Sequence, residues 1–104
     1  MSTMRPSRRS QRDNTEPAIV AALRQIPGVV VVRLDQPVDL LVGFRGMNHL
    51  LEVKTPTREG GPPRRLTRAE GDFFESWTGS AHVVTDAAEA LRVVLGEGGN
   101  DAEI

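Results

Sequence analysis

The chain contains no cysteine, which excludes a disulfide framework, a thiolate nucleophile and any zinc site built on sulfur. A reducing compartment is the expectation that follows. Long apolar runs are missing as well: nothing approaches the ~20 residues needed to cross a bilayer, and the start lacks the apolar stretch of a secretory leader. Arg5, Arg8, Arg9 and Arg12 among Ser and Pro resemble a transit peptide only loosely, because an acidic helix start follows at once. An excess of one charge sign is also absent, with 13 basic against 14 acidic residues, so the chain has no bulk attraction to a polyanion. Lysine is nearly absent. Of the 13 basic side chains only Lys54 is not arginine. A coding bias toward arginine accounts for the others but not for this exception. Lysine differs in being a compact point charge on a flexible stem.

What is present fits one small α/β domain: 104 residues, 38% of them hydrophobic, near the lower end of what folds unaided. The charge is unevenly placed. Residues 1–12 carry four arginines and no acid, whereas 96–104 carry three acids and no base. These ends read as a flexible basic arm and a flexible acidic tail around a domain over 13–95. A second basic cluster, Arg58, Arg64, Arg65 and Arg68, lies in and after a Gly/Pro-rich stretch. On a neutral chain such clusters suggest local contact with a polyanion, although arginines also simply keep small proteins soluble.

The residue pattern predicts alternating elements. Pro17 to about Gln25 reads as a helix, with Val20, Leu23 and Ile26 at helical spacing, Pro17 in its first turn and Pro27-Gly28 as its stop. Val29–Arg33, Val38–Val42 and His49–Lys54 read as strands, the last two joined as a hairpin through Arg45-Gly46. Thr55–Arg65 reads as a loop. Thr67 to about Thr78 reads as a helix that opens with the capping box Thr67-x-x-Glu70 and buries Phe73, Phe74 and Trp77. For those rings a core role outweighs base stacking, because the helix needs an apolar face. Ala81–Val84 is a fourth strand and Asp86 to about Leu95 a last helix. The predicted order is α-β-β-β-α-β-α around a mixed sheet.

The hairpin carries the functional information. With Arg45 and Gly46 as the central turn residues, Phe44 faces Met47, Leu40 faces Leu51 and Asp39 faces Glu52. Directly opposed residues share a sheet face, about 5 Å apart. Two carboxylates then meet, and period-two alternation puts Lys54 on their side while Leu51 and Val53 turn to the other. Like charges opposite each other destabilise a sheet, so the arrangement asks for a cation, and hard Mg²⁺ takes one or two carboxylates plus waters and phosphate oxygens. A three-residue turn would slip the register and separate the two acids. Glu16 precedes Val20 by four and Leu23 by seven, so it continues the helix's apolar stripe toward the sheet; as a first-turn acid it is equally well explained by the helix dipole. His49 points away from the carboxylate face and His82 lies in a short strand, and neither is assigned to a metal.

Asp39 followed thirteen residues later by Glu52-Val53-Lys54 resembles the PD-(D/E)XK nuclease signature. The element order is similar to that superfamily's restriction-endonuclease-like α-β-β-β-α-β core, a central mixed sheet flanked by helices. With helix residue Glu16 and the Leu66-Thr67 helix leading to aromatics and Trp77, residues 13–94 look most like the small VRR-NUC-type and Holliday-junction-resolvase-like branch, often phage-encoded. Two departures stand out. The usual proline before the motif Asp is Val38 here, with Pro37 one place earlier. Where some relatives carry a helix Gln, the nearest match is Glu70, for which capping is an equal explanation.

The resemblance implies a divalent-metal-dependent DNA endonuclease acting on branched, flapped or junction DNA in a bacterial or phage-infected cytoplasm. Asp39, Glu52, the Val53 carbonyl and Glu16 would hold Mg²⁺ or Mn²⁺ beside the scissile phosphate. Lys54 would orient or help deprotonate the attacking water, or offset developing charge. Arg58, Arg64, Arg65 and Arg68, together with Arg5, Arg8, Arg9 and Arg12 of the arm, would meet flanking phosphates. One small chain offers one active site, so cutting two strands symmetrically implies a homodimer. A nuclease-fold module without turnover that binds nucleic acid or protein, and a small structural or regulatory protein, are the alternatives.

Overall fold

Among the described residues the chain forms four strands and three helices, in the order α1 (Ser7–Arg24), β1 (Val30–Arg33), β2 (Leu40–Phe44), β3 (Met47–Val53), α2 (Arg68–Ser76), β4 (Ala81–Val84) and α3 (Ala87–Leu95). The computed structural model describes residues 7–96 except 57, 59, 60 and 63, and for residues 7–14 the backbone alone. The expected tail, apart from Gly96, and the first six residues of the expected arm lie outside the described residues. The element order is the predicted one. The strands form a single mixed sheet in spatial order β1-β2-β3-β4, antiparallel between β1, β2 and β3 and parallel between β3 and β4.

The register follows from the turn between β2 and β3. Arg45 and Gly46 both have positive φ, 53° and 80°, the pattern of a two-residue type I′ turn whose twist matches the flanking strands. Gly46 takes this conformation without penalty, while Arg45 holds it with its guanidinium 4.9 Å from the Phe44 ring centre. Phe44 therefore pairs with Met47 and Leu40 with Leu51, as the two-residue turn predicts.

Alternation then divides the sheet into two unlike faces. Val31, Leu40, Val42, Leu51, Val53 and Val84 point to one side, where Ile19, Val20 and Leu23 of α1 and Ala90 and Val94 of α3 complete the buried core. His49 lies on this side too, buried, with its Nδ1 3.2 Å from Ser80 Oγ, which in turn lies 3.3 Å from His82 Nε2. Burial holds both imidazoles below their ordinary pKa, and the neighbouring His82 lowers His49 further. On the opposite face, Val32, Leu41, Leu50 and Ala81 form one continuous row across all four strands, with Val32 exposed and the others half-buried.

Two helices depart from the sequence expectation. α1 begins at Ser7 and runs through Pro17 instead of starting there. Proline fits a first turn, but the residues ahead of it have no apolar periodicity to reveal a helix. α2 has its capping box, with Thr67 Oγ1 accepting from the Glu70 N–H at 3.1 Å and Glu70 Oε1 accepting from the Thr67 N–H at 2.8 Å, yet it buries none of its residues. The expectation that Phe73, Phe74 and Trp77 are core is therefore corrected. The α1–α3 pair already fills the core face of the sheet, and the rings pack on one another instead: Phe73 stacks on Trp77 and meets Phe74 edge-on, both at 5.3 Å between centres. α3 has the predicted bounds, with Asp86 Oδ1 accepting from the Glu89 N–H at 2.9 Å, and it ends at Gly96 in the left-handed region, φ 78°.

Candidate active site

Asp39 sits one residue before β2, where the β2–β3 ladder ends at the Leu40–Leu51 pair. Its backbone N–H donates to the Leu51 carbonyl at 3.1 Å, and its Oδ2 accepts from the Val53 N–H at 2.7 Å. Asp39 is thus held on both sides of Glu52, at Leu51 through its own N–H and at Val53 through its carboxylate. Asp39 is 8% exposed, and a charge-assisted bond to a backbone amide is a strong anchor at such a site.

Glu52 is the penultimate residue of β3, on the opposite side from the buried Leu51 and Val53. It is 3% exposed. Burial, then a hydrogen bond with Glu70 and the nearby charges of Asp39 and Glu70, push its carboxyl up to about 8, with Lys54 pulling the other way. Glu52 therefore holds a proton at neutral pH and donates it to the Glu70 carboxylate.

Lys54 follows two residues later on the same side. Its Nζ lies 3.4 Å from Glu52 Oε2 and 2.8 Å from Glu70 Oε1. Burial alone would raise the Glu70 carboxyl, but hydrogen bonds from Lys54, the Thr67 amide and Glu52 hold it down at about 2. Glu70 is thus a charged partner of Lys54 and a cap of α2 at once. A protonated Glu52, an ionised Glu70 and the Lys54 ammonium make a nearly balanced cluster. The cation that opposed carboxylates require comes in the first place from inside the chain.

Of the residues singled out by the sequence, Asp39, Glu52 and Lys54 come together at one end of the open sheet face. Val53 joins them through its amide. Glu16 is at the α1–β1 side, with its Oε2 3.4 Å from Arg33 Nε. Among the described residues, no three His, Cys, Asp or Glu side chains form a group that could hold a metal ion. Arg58, Arg65 and Arg68 are exposed and Arg64 is half-buried. The loop that carries Arg58 closes on itself where the Gly61 N–H donates to the Arg58 carbonyl at 2.9 Å. Arg8, Arg9 and Arg12 fall on the first turns of α1, where only the backbone is described, and Arg5 lies outside the described residues. Glu70 is the site residue that the pattern did not assign. In the sequence, capping explained it equally well, and the fold brings it to Lys54, 2.8 Å from its Nζ.

No protein-family model matches the chain, and no curated protein and no solved structure shows significant similarity to it. Among the described residues, no helix is long and apolar enough to cross a membrane.

Proposed function

We propose that this protein is a divalent-metal-dependent DNA endonuclease of the PD-(D/E)XK type, acting on branched, flapped or junction DNA as a homodimer. The observation that carries the reading is the juxtaposition of buried Asp39 and Glu52 with Lys54 at the open end of a β-hairpin. Burying two carboxylates beside a lone lysine serves no packing purpose, since a buried ionisable group costs several kcal/mol more than an apolar one of similar size.

The donor set suits a hard cation, which takes carboxylate oxygens and fills its remaining positions with waters and phosphate oxygens. Asp39 and Glu52, with the Val53 carbonyl, would hold Mg²⁺ or Mn²⁺. When bound, the metal would neutralise charge on the phosphate and acidify a water. The chain's own part is positional. The Val53 amide fixes the Asp39 carboxylate, Glu52 must surrender its proton before it can act as an anionic ligand, and Glu70 tethers the Lys54 ammonium so that it stays directed at the same space. Arg58, Arg65 and Arg68 would then contact phosphates on either side. Glu16 is left out of this set because Arg33 engages it.

A second reading, a nuclease-fold module that binds without turnover, draws on one specific observation. The Lys54 ammonium and the Glu52 proton already offset two of the three acidic groups. A cleavage panel of junction, flap, duplex and single-stranded DNA, with and without Mn²⁺, separates the two. The wild type is expected to cut at least one substrate only with metal, and Glu52→Ala and Lys54→Ala are expected to fold and lose cutting by at least about a hundredfold. Intact DNA in every lane, or equal cutting by all three proteins, would remove the enzyme reading.

A further inference from the structure

The chain has three phenylalanines, one tryptophan and no tyrosine, and among the described residues its buried core contains none of these rings. That is unusual chemistry for a small domain, because aromatic side chains bury the most surface and dominate most cores. Three of the four lie within five residues of α2 and its cap. Trp77 is 47% exposed, and Phe73 and Phe74 are half-buried.

Their placement is ordered. Glu70, Phe73, Phe74 and Trp77 follow the i, i+3, i+4, i+7 spacing and so share one stripe of the helix. At one end of the stripe Glu70 holds Lys54 of the candidate active site at 2.8 Å. At the other end the indole plane is set by stacking on Phe73, with 29° between the rings, and by the close approach of Gly79. A Cβ at Gly79 would stand only 2.8 Å from Trp77 Nε1, so the indole lies against a position that only glycine leaves clear. The rings are therefore preset rather than floppy.

We infer that this stripe is a stacking platform for unpaired bases of a single-stranded DNA segment, running from Trp77 toward the site at Lys54. The inference rests on the nucleic-acid reading above and specifies its substrate class. A stripe built from rings, with Ala69 the one aliphatic side chain of α2 beside them, suits π-faces better than a protein groove. Base stacking on aromatic side chains is tolerant of sequence and requires bases freed from a duplex. The charges agree. Arg65 is exposed where the chain enters the helix, suited to the phosphates of such a strand, while Arg68, Asp72 and Glu75 share the opposite side by their i, i+4, i+7 spacing. Glu70, the one acid of the stripe, is already engaged by Lys54 and the Thr67 amide.

Trp77 is the sole tryptophan, so intrinsic fluorescence reports on the platform directly. Full-length protein in EDTA is titrated with an oligothymidylate of about 15 nucleotides and with a blunt duplex of matching length. Saturable quenching by the oligothymidylate is expected. Trp77→Ala should lower the preference for oligothymidylate over duplex by about tenfold, read by anisotropy of labelled probes, and Trp77→Phe should restore most of it. Phe73→Ala, at the ring that backs the indole, is expected to reduce the preference in the same direction. Binding with unchanged tryptophan emission, or a preference equal in Trp77→Ala and wild type, would overturn the inference. So would quenching that depends on protein concentration alone and tracks dimer formation in sedimentation, because the stripe would then face a second copy. Since binding is read without metal, a protein that quenches but never cuts leaves the platform and removes the nuclease. One that cuts without quenching does the reverse.

Discussion

Lys54 and Glu70 are joined by an ion pair of 2.8 Å between the end of β3 and the first turn of α2, across a sequence gap filled by a loop. The same Glu70 oxygen accepts the Thr67 N–H at 2.8 Å, so one carboxylate both starts a helix and positions the only lysine of the chain. Glutamine can keep the capping geometry but not the charge. Glu70→Gln is therefore expected to leave the fold intact and to lower the Glu52 pKa from about 8, because one of the charges that raise it is gone. Carboxyl NMR titration checks this, and on the nuclease reading the acid limb of cutting shifts to lower pH in parallel. An unmoved Glu52 titration would break the proposed coupling.

The two shifted carboxyls act on stability in opposite pH windows. Glu52 rises from an ordinary 4.5 to about 8, so its contribution is complete below 4.5 and is lost as pH climbs through 8, where the folded state must give up the proton. Glu70 falls from 4.5 to about 2, so its contribution is present above 4.5 and is lost as pH drops toward 2. Denaturant unfolding should give a stability maximum near pH 5, with a decline on the order of 2 kcal/mol by pH 8.5. Glu52→Gln is expected to abolish the alkaline decline and keep the acid one. A wild-type profile that is flat from pH 5 to 8.5 contradicts the assignment.

Because α2 buries none of its residues, its stability is local. Removing the cap with Thr67→Ala costs about 1 kcal/mol of helix stability. That loss should appear as faster amide exchange across residues 70–77, while the melting temperature of the α1–sheet–α3 core changes little. For contrast, Leu51→Ala in the fully buried core is expected to cost about 2–5 kcal/mol and to lower the global transition. Equal effects of the two substitutions would mean that α2 belongs to the core after all.

The β2–β3 turn offers a separate check on register. Arg45 occupies positive φ at 53°, which asparagine adopts more readily. Arg45→Asn is expected to stabilise by about 0.5 kcal/mol, and Gly46→Ala, at φ 80°, to destabilise by about 1 kcal/mol. Urea unfolding measures both. Opposite signs would argue for a different turn and so for a different neighbour of Asp39.

The elements were legible because local chemistry speaks for each of them. β-branched runs mark the strands, the Thr67 capping box and Asp86 mark two helix starts, and Arg45-Gly46 marks the turn. The pairing of Leu40 with Leu51 follows from counting outward from that turn, and it carries Asp39 toward Glu52. The start of α1 was not legible, since ten polar residues before Pro17 have no apolar stripe to betray a helix. Nor was the fate of the α2 rings, because an amphipathic stripe looks the same whether or not a surface is left for it to cover.

By itself the sequence determined the strand and helix order, the hairpin register and the shared side of Glu52 and Lys54, all consequences of short-range sterics and period-two alternation. Only the tertiary structure decided that α1 and α3 together occupy the core face, that α2 keeps its rings outside the core, and that Glu70 is the partner of Lys54. These depend on which surfaces meet across long stretches of chain, where burial and charge compensation act between residues whose separation in sequence carries no signal of their contact.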